Sequence, residues 1–536
     1  MFSIDQNCHP FWDALPKLHA LAFHGHAVTH FVEDVDVAFT AMGASVEDTF
    51  LHVARERFYR SGGEDWGAAL FYSEFLARQA TEIRAWEPFT GTKTNTLARQ
   101  LGRSVDDLYE EFSPGDTWQL VGPSYVGDRE HHRVVGDLSV RETAAFVREI
   151  LAKAKEDMLR RFPQRDSQER LTGWLRSEEE RVERLLKRYA DARVVDLYRG
   201  WLGEHLSSDR LTLGLSSDLF ACGADPARTA LLEVFLKDYE RAARLYAEAL
   251  AETGSDLHAL DVAEGELPFF AVLEYEGHLV RTPAHLRDGA VVIGRQAFKL
   301  GEGGRLPVAA LAGAGIKALA AKAILLVTQA RIGPAGQALA LPHLGSVYMP
   351  AAHRLAEKLA ASGLLPGPLQ PIVRVRFRLL DHLKGLDTVI CLPEYLEPCF
   401  GRGEVPAREL GEQHAALASE AADRLERIRN ADGRKVWQTA AFPELTGRIE
   451  DLEGRRREMA ARGATPEAMS EIWKQIKAIQ LDLADRTVRQ IARDLHVRAL
   501  GYWDSRGAIL PWSIALGGRE LYDRVIAAAK IYEERG

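Results

Sequence analysis

The sequence has few cysteines and lacks the motifs that assign a chain to a known chemistry. Only four cysteines occur in 536 residues, and none is spaced as in a C-x-x-C or zinc-ribbon site. P-loop, dinucleotide-binding and serine-hydrolase motifs are also missing, and the first residues lack the basic segment and apolar core typical of a secretory signal. These absences favour a reduced, cytoplasmic protein. The cofactor stays unknown, and ATP remains a candidate that no nucleotide motif identifies.

The charge balance is mildly acidic. Lys and Arg number 68 against 77 Asp and Glu, which gives a formal net charge of −9 and a pI near 6.1. Such a chain has no global positive field to attract nucleic acid. The most apolar run, residues 308–327, is interrupted by Lys317 and Lys322, which favours a buried helix over a membrane span. We therefore expect neither a nucleic-acid partner nor a membrane.

Hydrophobic periodicity divides the chain into four parts. Helical spacing dominates residues 1–265, including residues 8–78. Residues 266–403 contain strand-like segments, residues 404–500 carry long amphipathic helices, and residues 501–536 form a C-terminal segment expected to dock on the core. A chain of this length is not expected to fold around a single core. We predict an α/β fold with much added helix.

Residues 266–403 combine two patterns typical of α/β proteins. In residues 268–300 the apolar residues alternate with polar ones between glycine or proline turns, which predicts a small β-meander. Residues 341–383 read as a strand, a glycine turn, a helix and a second strand. Because a crossover helix usually joins parallel strands, we predict that these two strands pair in parallel.

The long helices after residue 404 have apolar stripes. Isoleucines between residues 472 and 491 recur at near-heptad spacing. Gly463 interrupts the pattern, and Thr465 before Pro466 is a typical helix start, so the last two helices are expected to form an antiparallel hairpin. The protein body or a second subunit must cover the apolar stripe of such a hairpin, and a homodimer through the long helices is one arrangement.

Three arginines, Arg374, Arg376 and Arg378, alternate with apolar residues in the second strand of the 341–383 unit. A strand turns alternate side chains to one face, so the three guanidiniums would lie together. Arginine binds carboxylates and phosphates bidentately. We predict a site for a small anionic substrate, with Arg374 and Arg376 as ligands and Arg378 as an outer charge. An edge strand guarded by charge would explain the same row, and both interpretations stay open.

The glycine turn of the same unit is a second candidate anion site. Gly345 and Ser346 precede the helix, where free backbone amides and the helix dipole favour a negative group. A tight turn without a ligand would use the same residues.

A charged segment supplies the catalytic candidates. Glu130 and His131 follow a predicted strand at residues 118–121. Open α/β sheets bind ligands at the carboxyl ends of their strands, and a carboxylate beside an imidazole can transfer a proton near neutral pH. The alternative is a solvated charged loop.

Histidines are frequent near the N-terminus. A metal site would need three or four of them to converge, but no single strand or helix presents them on one face. Buried histidines in the core explain the pattern equally well, so no metal ligand is assigned. A metal-dependent hydrolase remains an alternative based on His9, His19, His24, His26 and His30.

The order of these segments resembles the bacillithiol-biosynthesis cysteine-adding enzymes, a family of cysteine ligases. The resemblance covers most of the chain. It includes residues 270–276 before the meander, the turn from Gly345 to Tyr348, the Pro371-to-Arg376 strand, the helical hairpin and the aromatic C-terminal segment. The family's Gly-Gln-Gln turn has its nearest counterpart at residues 90–92, and its acidic histidine loop at residues 129–132.

This resemblance implies a Rossmann-like core followed by a coiled-coil hairpin. It also implies a ligase that joins cysteine, or a similar small amino nucleophile, to an anionic sugar-type acceptor. Tyr348 joins the substrate-binding candidates on this basis, and Glu130 with His131 would handle proton transfer. A non-catalytic helical scaffold with a degenerate core is the other alternative.

Overall fold

The structure is a computed structural model that describes most of the chain. The described residues are 1–4, 12, 14–38, 50–51, 66–68, 73–74, 83–105, 107–108, 117–123, 125–128, 130–255, 257–333, 337–344, 348–504 and 509–534. It is a mixed α/β protein with parallel and antiparallel sheets and several long helices.

Eighteen strands occur in the described residues. They are β1 Phe2–Ile4, β2 Val28–Val32, β3 Phe50–Leu51, β4 Trp66–Ala68, β5 Ser73–Glu74, β6 Thr117–Pro123, β7 His132–Arg133, β8 Leu211–Leu215, β9 Glu266–Tyr275, β10 His278–Arg287, β11 Ala290–Ile293, β12 Gln296–Lys299, β13 Ala318–Ala321, β14 Leu339–Pro342, β15 Ile372–Arg376, β16 Val389–Cys391, β17 Glu404–Pro406 and β18 Lys530–Glu533.

The α-helices of the described residues lie between and after these strands. They are α1 Ala14–Phe23, α2 Glu87–Thr90, α3 Thr94–Leu101, α4 Val140–Arg161, α5 Arg165–Arg188, α6 Val194–His205, α7 Ser216–Leu219, α8 Pro226–Lys237, α9 Tyr239–Thr253, α10 Val308–Gly313, α11 Ala323–Arg331, α12 Met349–Ala361, α13 Leu379–His382, α14 Glu397–Phe400, α15 Ala407–Ile428, α16 Ala431–Ala441, α17 Pro443–Ala461, α18 Pro466–Arg498 and α19 Ile509–Ala527. Short 3-10 helices occupy Ile83–Trp86, Val135–Asp137, Leu383–Gly385 and Ala499–Asp504.

A six-stranded sheet organises the core. Its order is β18-β15-β14-β1-β2-β8. Strands β15, β14, β1, β2 and β8 are parallel to their neighbours, whereas β18 is antiparallel to β15. Strands β2 and β8 follow β1 in the chain and lie on one side of it, whereas β14 and β15 come later and lie on the other side. The winding direction of the chain therefore reverses between β1 and β14.

Helices cover both faces of this sheet. In β14, Leu339 and Leu341 are buried in one hydrophobic cluster with α8, α9, α11, α12 and the second sheet. Ala340 is buried in the other cluster with α1, α4, α5, α6 and α19. Alternate residues of one strand thus face opposite cores, as expected for a parallel sheet buried on both sides. The predicted parallel pairing through the crossover helix α12 is confirmed.

The second sheet contains the predicted meander. Its order is β12-β11-β10-β9-β13, all antiparallel, and β7 also pairs with β10. The prediction of one buried helix at residues 308–327 is wrong, because α10, β13 and α11 share that region. Gly315 has a φ of 85°, which ends the first helix, and β13 is buried at all four positions. A short run that is apolar on every side cannot be assigned to helix or strand by periodicity alone.

The prediction that helices dominate residues 8–78 is wrong in part. Strand β2 lies in this region with alternating burial, and β3, β4 and β5 pair with β6 in a small antiparallel sheet. These strands are two to five residues long. Over so short a length, residues spaced by three or four match a strand almost as well as a helix.

Long helices dominate the part after residue 404. Helix α18 begins at Pro466, and the Thr465 hydroxyl accepts a hydrogen bond from the backbone amide of Ala468 at 3.4 Å. Helices α17 and α18 pack through a cluster that includes Leu452 and Ile476. No helix of the described ranges has both the length and the hydropathy needed to cross a bilayer.

Candidate functional site

Polar side chains collect where the parallel strands of the first sheet end. His343 follows β14, Arg376 ends β15, Asp34 lies two residues beyond β2, and Ser217 lies two residues beyond β8. Parallel strands have their carboxyl ends at one edge of a sheet, and ligands of open α/β sheets bind there, next to the point where the winding reverses. With neighbouring strands about 4.8 Å apart, the ends of β2 and β14 are separated by roughly 10 Å. A small ligand can span this edge.

His343 and Arg376 are neighbours at this edge. The backbone amide of His343 donates to the carbonyl of Val375 at 2.8 Å, which extends the β14–β15 pairing by one residue. Burial lowers the pKa of His343 to about 4, and the positive charges of Arg376 and Arg374 act in the same direction. The imidazole is therefore neutral near pH 7. Its Nδ1 atom lies 2.6 Å from the Tyr532 hydroxyl of β18.

Arg374 joins the two strands to the C-terminal segment. Its guanidinium is 5% exposed, donates to Glu534 at 3.0 and 3.1 Å, and donates to the Pro342 carbonyl at 3.0 Å. Burial by itself would raise the pKa of Glu534, but hydrogen bonds and charges from His353 and Arg374 lower it to about 2. Arg374 thus holds the ends of β14, β15 and β18 in register beside His343.

The predicted arginine row is only partly formed. Strand β15 ends at Arg376, and Arg378 has a φ of 56°, so its side chain leaves the row and pairs with Asp381 at 2.6 Å. The edge-strand interpretation is wrong, because β14 and β18 pair with β15 on its two sides. Gly345 and Ser346 lie outside the described residues. Tyr348 directly precedes α12 and packs against the neighbouring hydrophobic cluster.

A buried carboxyl group occupies the other half of the edge. Asp34 is 3% exposed and accepts hydrogen bonds from the backbone amide and hydroxyl of Ser217 at 2.8 and 2.5 Å. Burial raises the pKa of Asp34 to about 6 in spite of these hydrogen bonds. This carboxyl group changes its protonation state close to neutral pH, which suits a general acid or base.

His131 directly precedes β7, which pairs with the second sheet and not with the arginine strand β15. It is 5% exposed, its Nδ1 atom is 2.6 Å from Asp128, and its ring stacks on Tyr275 with centroids 3.8 Å apart. The hydrogen bond to His131 is the largest cause of the lowered pKa of Asp128. Glu130 is exposed, and its backbone amide donates to the same Asp128 carboxylate at 3.0 Å.

Backbone pairing connects this segment to the carboxyl edge of the first sheet. The amides of Val135 and Gly136 donate to the carbonyls of Asp36 and Asp34 at 2.9 and 2.8 Å. Residues just after β2 therefore run beside residues just after β7. The prediction that Glu130 and His131 follow a strand of the open α/β sheet is wrong, because β6 belongs to a separate antiparallel sheet. The structure nevertheless brings residues 133–136 to the end of a parallel strand.

The described N-terminal histidines do not all meet at one place. His19 contacts the Tyr522 hydroxyl at 2.8 Å and the His205 carbonyl at 3.2 Å, and His30 contacts Ser3 at 3.3 Å. His9 lies outside the described residues. Within the part of the chain that the structure describes, no three His, Cys, Asp or Glu residues are grouped so that they could hold a metal ion. The metal-hydrolase alternative gains no support from this arrangement.

Sequence reasoning missed several residues of the edge. His343 directly follows a predicted strand, and this position in the sequence is the feature that could have identified it as a site residue. Tyr532 and Glu534 reach the site only through antiparallel pairing of β18 with β15, which no local pattern indicates.

No protein-family model matches this chain, and no curated protein is significantly similar to it. The resemblance to the cysteine-adding enzymes therefore rests on the residues quoted above.

Proposed function

We propose that this chain is a ligase-like enzyme that binds a small anionic acceptor at the carboxyl edge of its six-stranded sheet. Cysteine, or a similar small amino nucleophile, would be joined to a sugar-type acceptor there. The observation that carries the proposal is the adjacent placement of His343 and Arg376 at the ends of β14 and β15. A guanidinium beside a neutral imidazole can bind a carboxylate and still exchange hydrogen bonds with a neutral group.

The strand order supports a Rossmann-like core. Taken in chain order, the parallel strands run 3-2-1-4-5 across the sheet, with antiparallel β18 in the sixth place. This is the order of doubly wound dinucleotide-binding sheets, whose ligands lie where the winding reverses. The predicted turn at Gly345 and Ser346 follows β14 at this point in the chain. We propose that these two residues bind an anionic group of the substrate.

Four of the described residues, Arg374, Arg376, Glu130 and His131, have assigned roles in this proposal. Arg376 binds the acceptor carboxylate, and Arg374 positions the strand ends through Glu534. His131, held by Asp128, takes the proton that the amino group loses when it attacks an electrophilic carbon. If the product is an amide, the attacked carbon is a carboxyl carbon, and its bond to one oxygen breaks. That oxygen would leave as water or on a phosphoryl group from a cosubstrate such as ATP. Glu130 is exposed beside His131 and can pass that proton to solvent.

We also propose that α17 and α18 form a coiled-coil-like hairpin through which two copies associate. Trp473 of α18 is 46% exposed, which is unusual for so large an apolar side chain and suits a contact surface. Light scattering of the wild type and Trp473→Glu tests this. A dimeric wild type and a monomeric variant are expected, and a monomeric wild type would contradict the proposal.

Product formation tests the enzymatic proposal. The purified chain is incubated with cysteine and an amino-sugar malate acceptor, with and without ATP, and adducts are measured by mass spectrometry. Arg376→Gln and His131→Asn are expected to slow adduct formation about 100-fold or more. Arg378→Gln, which removes a guanidinium two residues away that pairs with Asp381, is the matched control and should have wild-type rates. Equal rates in Arg376→Gln and the wild type would contradict the assigned role.

A further inference from the structure

A second group of arginines lies in the C-terminal helical part. Arg429 and Arg434 flank the start of α16, and Arg498 is the last residue of α18. All three approach Phe89 of α2 or Gly91 of the turn that follows α2. Two distant stretches of chain thus bring three guanidiniums to one place.

Phe89 is the centre of this group. Its ring is buried, and the guanidinium carbons of Arg429 and Arg498 lie 5.8 and 5.9 Å from the ring centroid. The Arg434 guanidinium donates to the carbonyls of Phe89 and Ile428 at 2.8 and 3.1 Å. Aromatic packing restricts guanidinium motion, so these cations are held before any ligand arrives.

Gly91 makes room for Arg434. It has a φ of 68°, and any side chain on it would collide with the Arg434 guanidinium. The turn therefore requires glycine both for its backbone conformation and for the close approach of a cation.

The acidic side chains that the structure describes do not neutralise this group. Among the residues that the structure describes, neither Arg429 nor Arg498 has a carboxylate oxygen within 4.0 Å. Glu87 is the acidic residue on α2, but it already accepts hydrogen bonds from Lys93 and from the amide of Thr94. Arg498 is exposed as a residue, but the protein around its guanidinium removes part of its hydration and lowers its pKa. The positive charge of Arg429 lowers this pKa further. Two nearby guanidiniums without a counterion repel each other, and an anionic ligand that pairs with both removes this repulsion.

We propose that Arg429 and Arg498, supported by Arg434, bind the phosphate group of a small phosphorylated ligand. Two exposed guanidiniums can each donate two hydrogen bonds to a phosphate, and the dianion balances more of their charge than a single carboxylate would. The three arginines lie on other elements than β14, β15 and β18. The site is therefore independent of the enzymatic proposal and can be tested without any substrate of that reaction.

Calorimetric titration of the full chain tests this site. Inorganic phosphate is the probe, with acetate as a second anion, at constant pH and ionic strength. The wild type is expected to bind phosphate saturably and more tightly than acetate. The double variant Arg429→Gln/Arg498→Gln should bind phosphate at least about tenfold more weakly. Arg427→Gln is the matched control, because Arg427 is an exposed arginine on the same helix end and its guanidinium donates to the Asp423 carbonyl.

Thermal melting gives a second measurement that does not depend on calorimetric signal. Phosphate should raise the Tm of the wild type and of Arg427→Gln, but not that of the double variant. Without phosphate, the double variant should melt at the same temperature as the wild type or higher, because a like-charge repulsion has been removed. If the double variant does not fold, Arg498→Lys keeps the charge, loses the bidentate geometry, and should weaken phosphate binding alone.

Three results would overturn the proposal. They are no saturable phosphate binding by the wild type, equal phosphate affinity in the wild type and the folded variants, and acetate binding as tight as phosphate binding.

Discussion

His343 Nδ1 lies 2.6 Å from the hydroxyl of Tyr532, although 189 residues separate them in the chain. The contact exists because β18 pairs with β15 at one border of the sheet and places Tyr532 next to the end of β14. The C-terminal segment therefore contributes directly to the carboxyl edge where we place the ligand.

Removing the Tyr532 hydroxyl tests the strength of this contact. Tyr532→Phe keeps the ring and loses the hydrogen bond, so the free energy of unfolding should fall by about 0.5–1.5 kcal/mol. Urea denaturation measures this change. Tyr125→Phe is a matched control, because Tyr125 is 38% exposed against 40% for Tyr532. Equal changes in the two variants would show that the His343 contact contributes nothing.

The lowered pKa of His343 predicts a pH dependence. The folded pKa is about 4 and the ordinary value is 6.5, so between pH 6.5 and 4 the unfolded chain binds a proton that the folded chain does not. Stability is therefore lost as the pH falls through this window. Between pH 7 and 5 the loss from His343 should be about 1 kcal/mol after allowance for solvent screening at a half-buried site. Urea unfolding of His343→Gln should show a correspondingly smaller loss, and an unchanged pH profile would contradict the prediction.

The Arg374–Glu534 pair should be a main attachment of the C-terminal segment. Glu534→Gln leaves a buried guanidinium without its carboxylate, and the free energy of unfolding should fall by about 2–3 kcal/mol at pH 7. Glu533→Gln changes an exposed neighbour and should alter it by less than about 0.5 kcal/mol. The Glu534 carboxylate has a pKa of about 2 instead of 4.5, so its contribution is complete above pH 4.5 and disappears as the pH falls through 2. Similar losses in both variants would contradict this assignment.

The contribution of Asp34 to stability should change with pH in the opposite direction to that of Glu534. The pKa of Asp34 is raised from 3.8 to about 6, so between these values the folded chain binds more protons than the unfolded chain. Its contribution to stability therefore decreases as the pH rises from 3.8 to 6. Asp34→Asn should remove this decrease in urea unfolding curves, while Asp288→Asn, which changes an exposed carboxylate, should keep it. Identical profiles for Asp34→Asn and the wild type would show that Asp34 has an ordinary pKa.

The fold could be predicted where a pattern is long or bounded by clear turns. The meander, the crossover from β14 to β15 and the start of α18 at Pro466 all have such patterns. The short strands β3, β4 and β5 do not, because a few apolar residues fit either kind of periodicity. The strand order could not be predicted either, since it depends on which distant segments pair.

In the candidate site too, features with a local sequence pattern could be predicted, and features that depend on distant segments could not. Arg376 can be predicted as a candidate because it alternates with apolar residues inside one strand. Arg374 shares that pattern, but its ion pair with Glu534 depends on a strand 160 residues away. His343 gave a weaker signal, because a single histidine after a strand is common. The chemistry of a position could be predicted locally, whereas its partners could not.

Ligand-dependent thermal melting of the wild type and Arg376→Gln is the most direct test of the proposed anion site. The ligands are anionic sugars, cysteine and nucleotides, and Arg378→Gln is the control. At saturating concentration we predict that an anionic sugar raises the Tm of the wild type and of Arg378→Gln by about 2 °C or more, and leaves that of Arg376→Gln unchanged. A wild-type Tm that none of these ligands changes, or an equal increase in Arg376→Gln, would contradict a site at the carboxyl edge of this sheet.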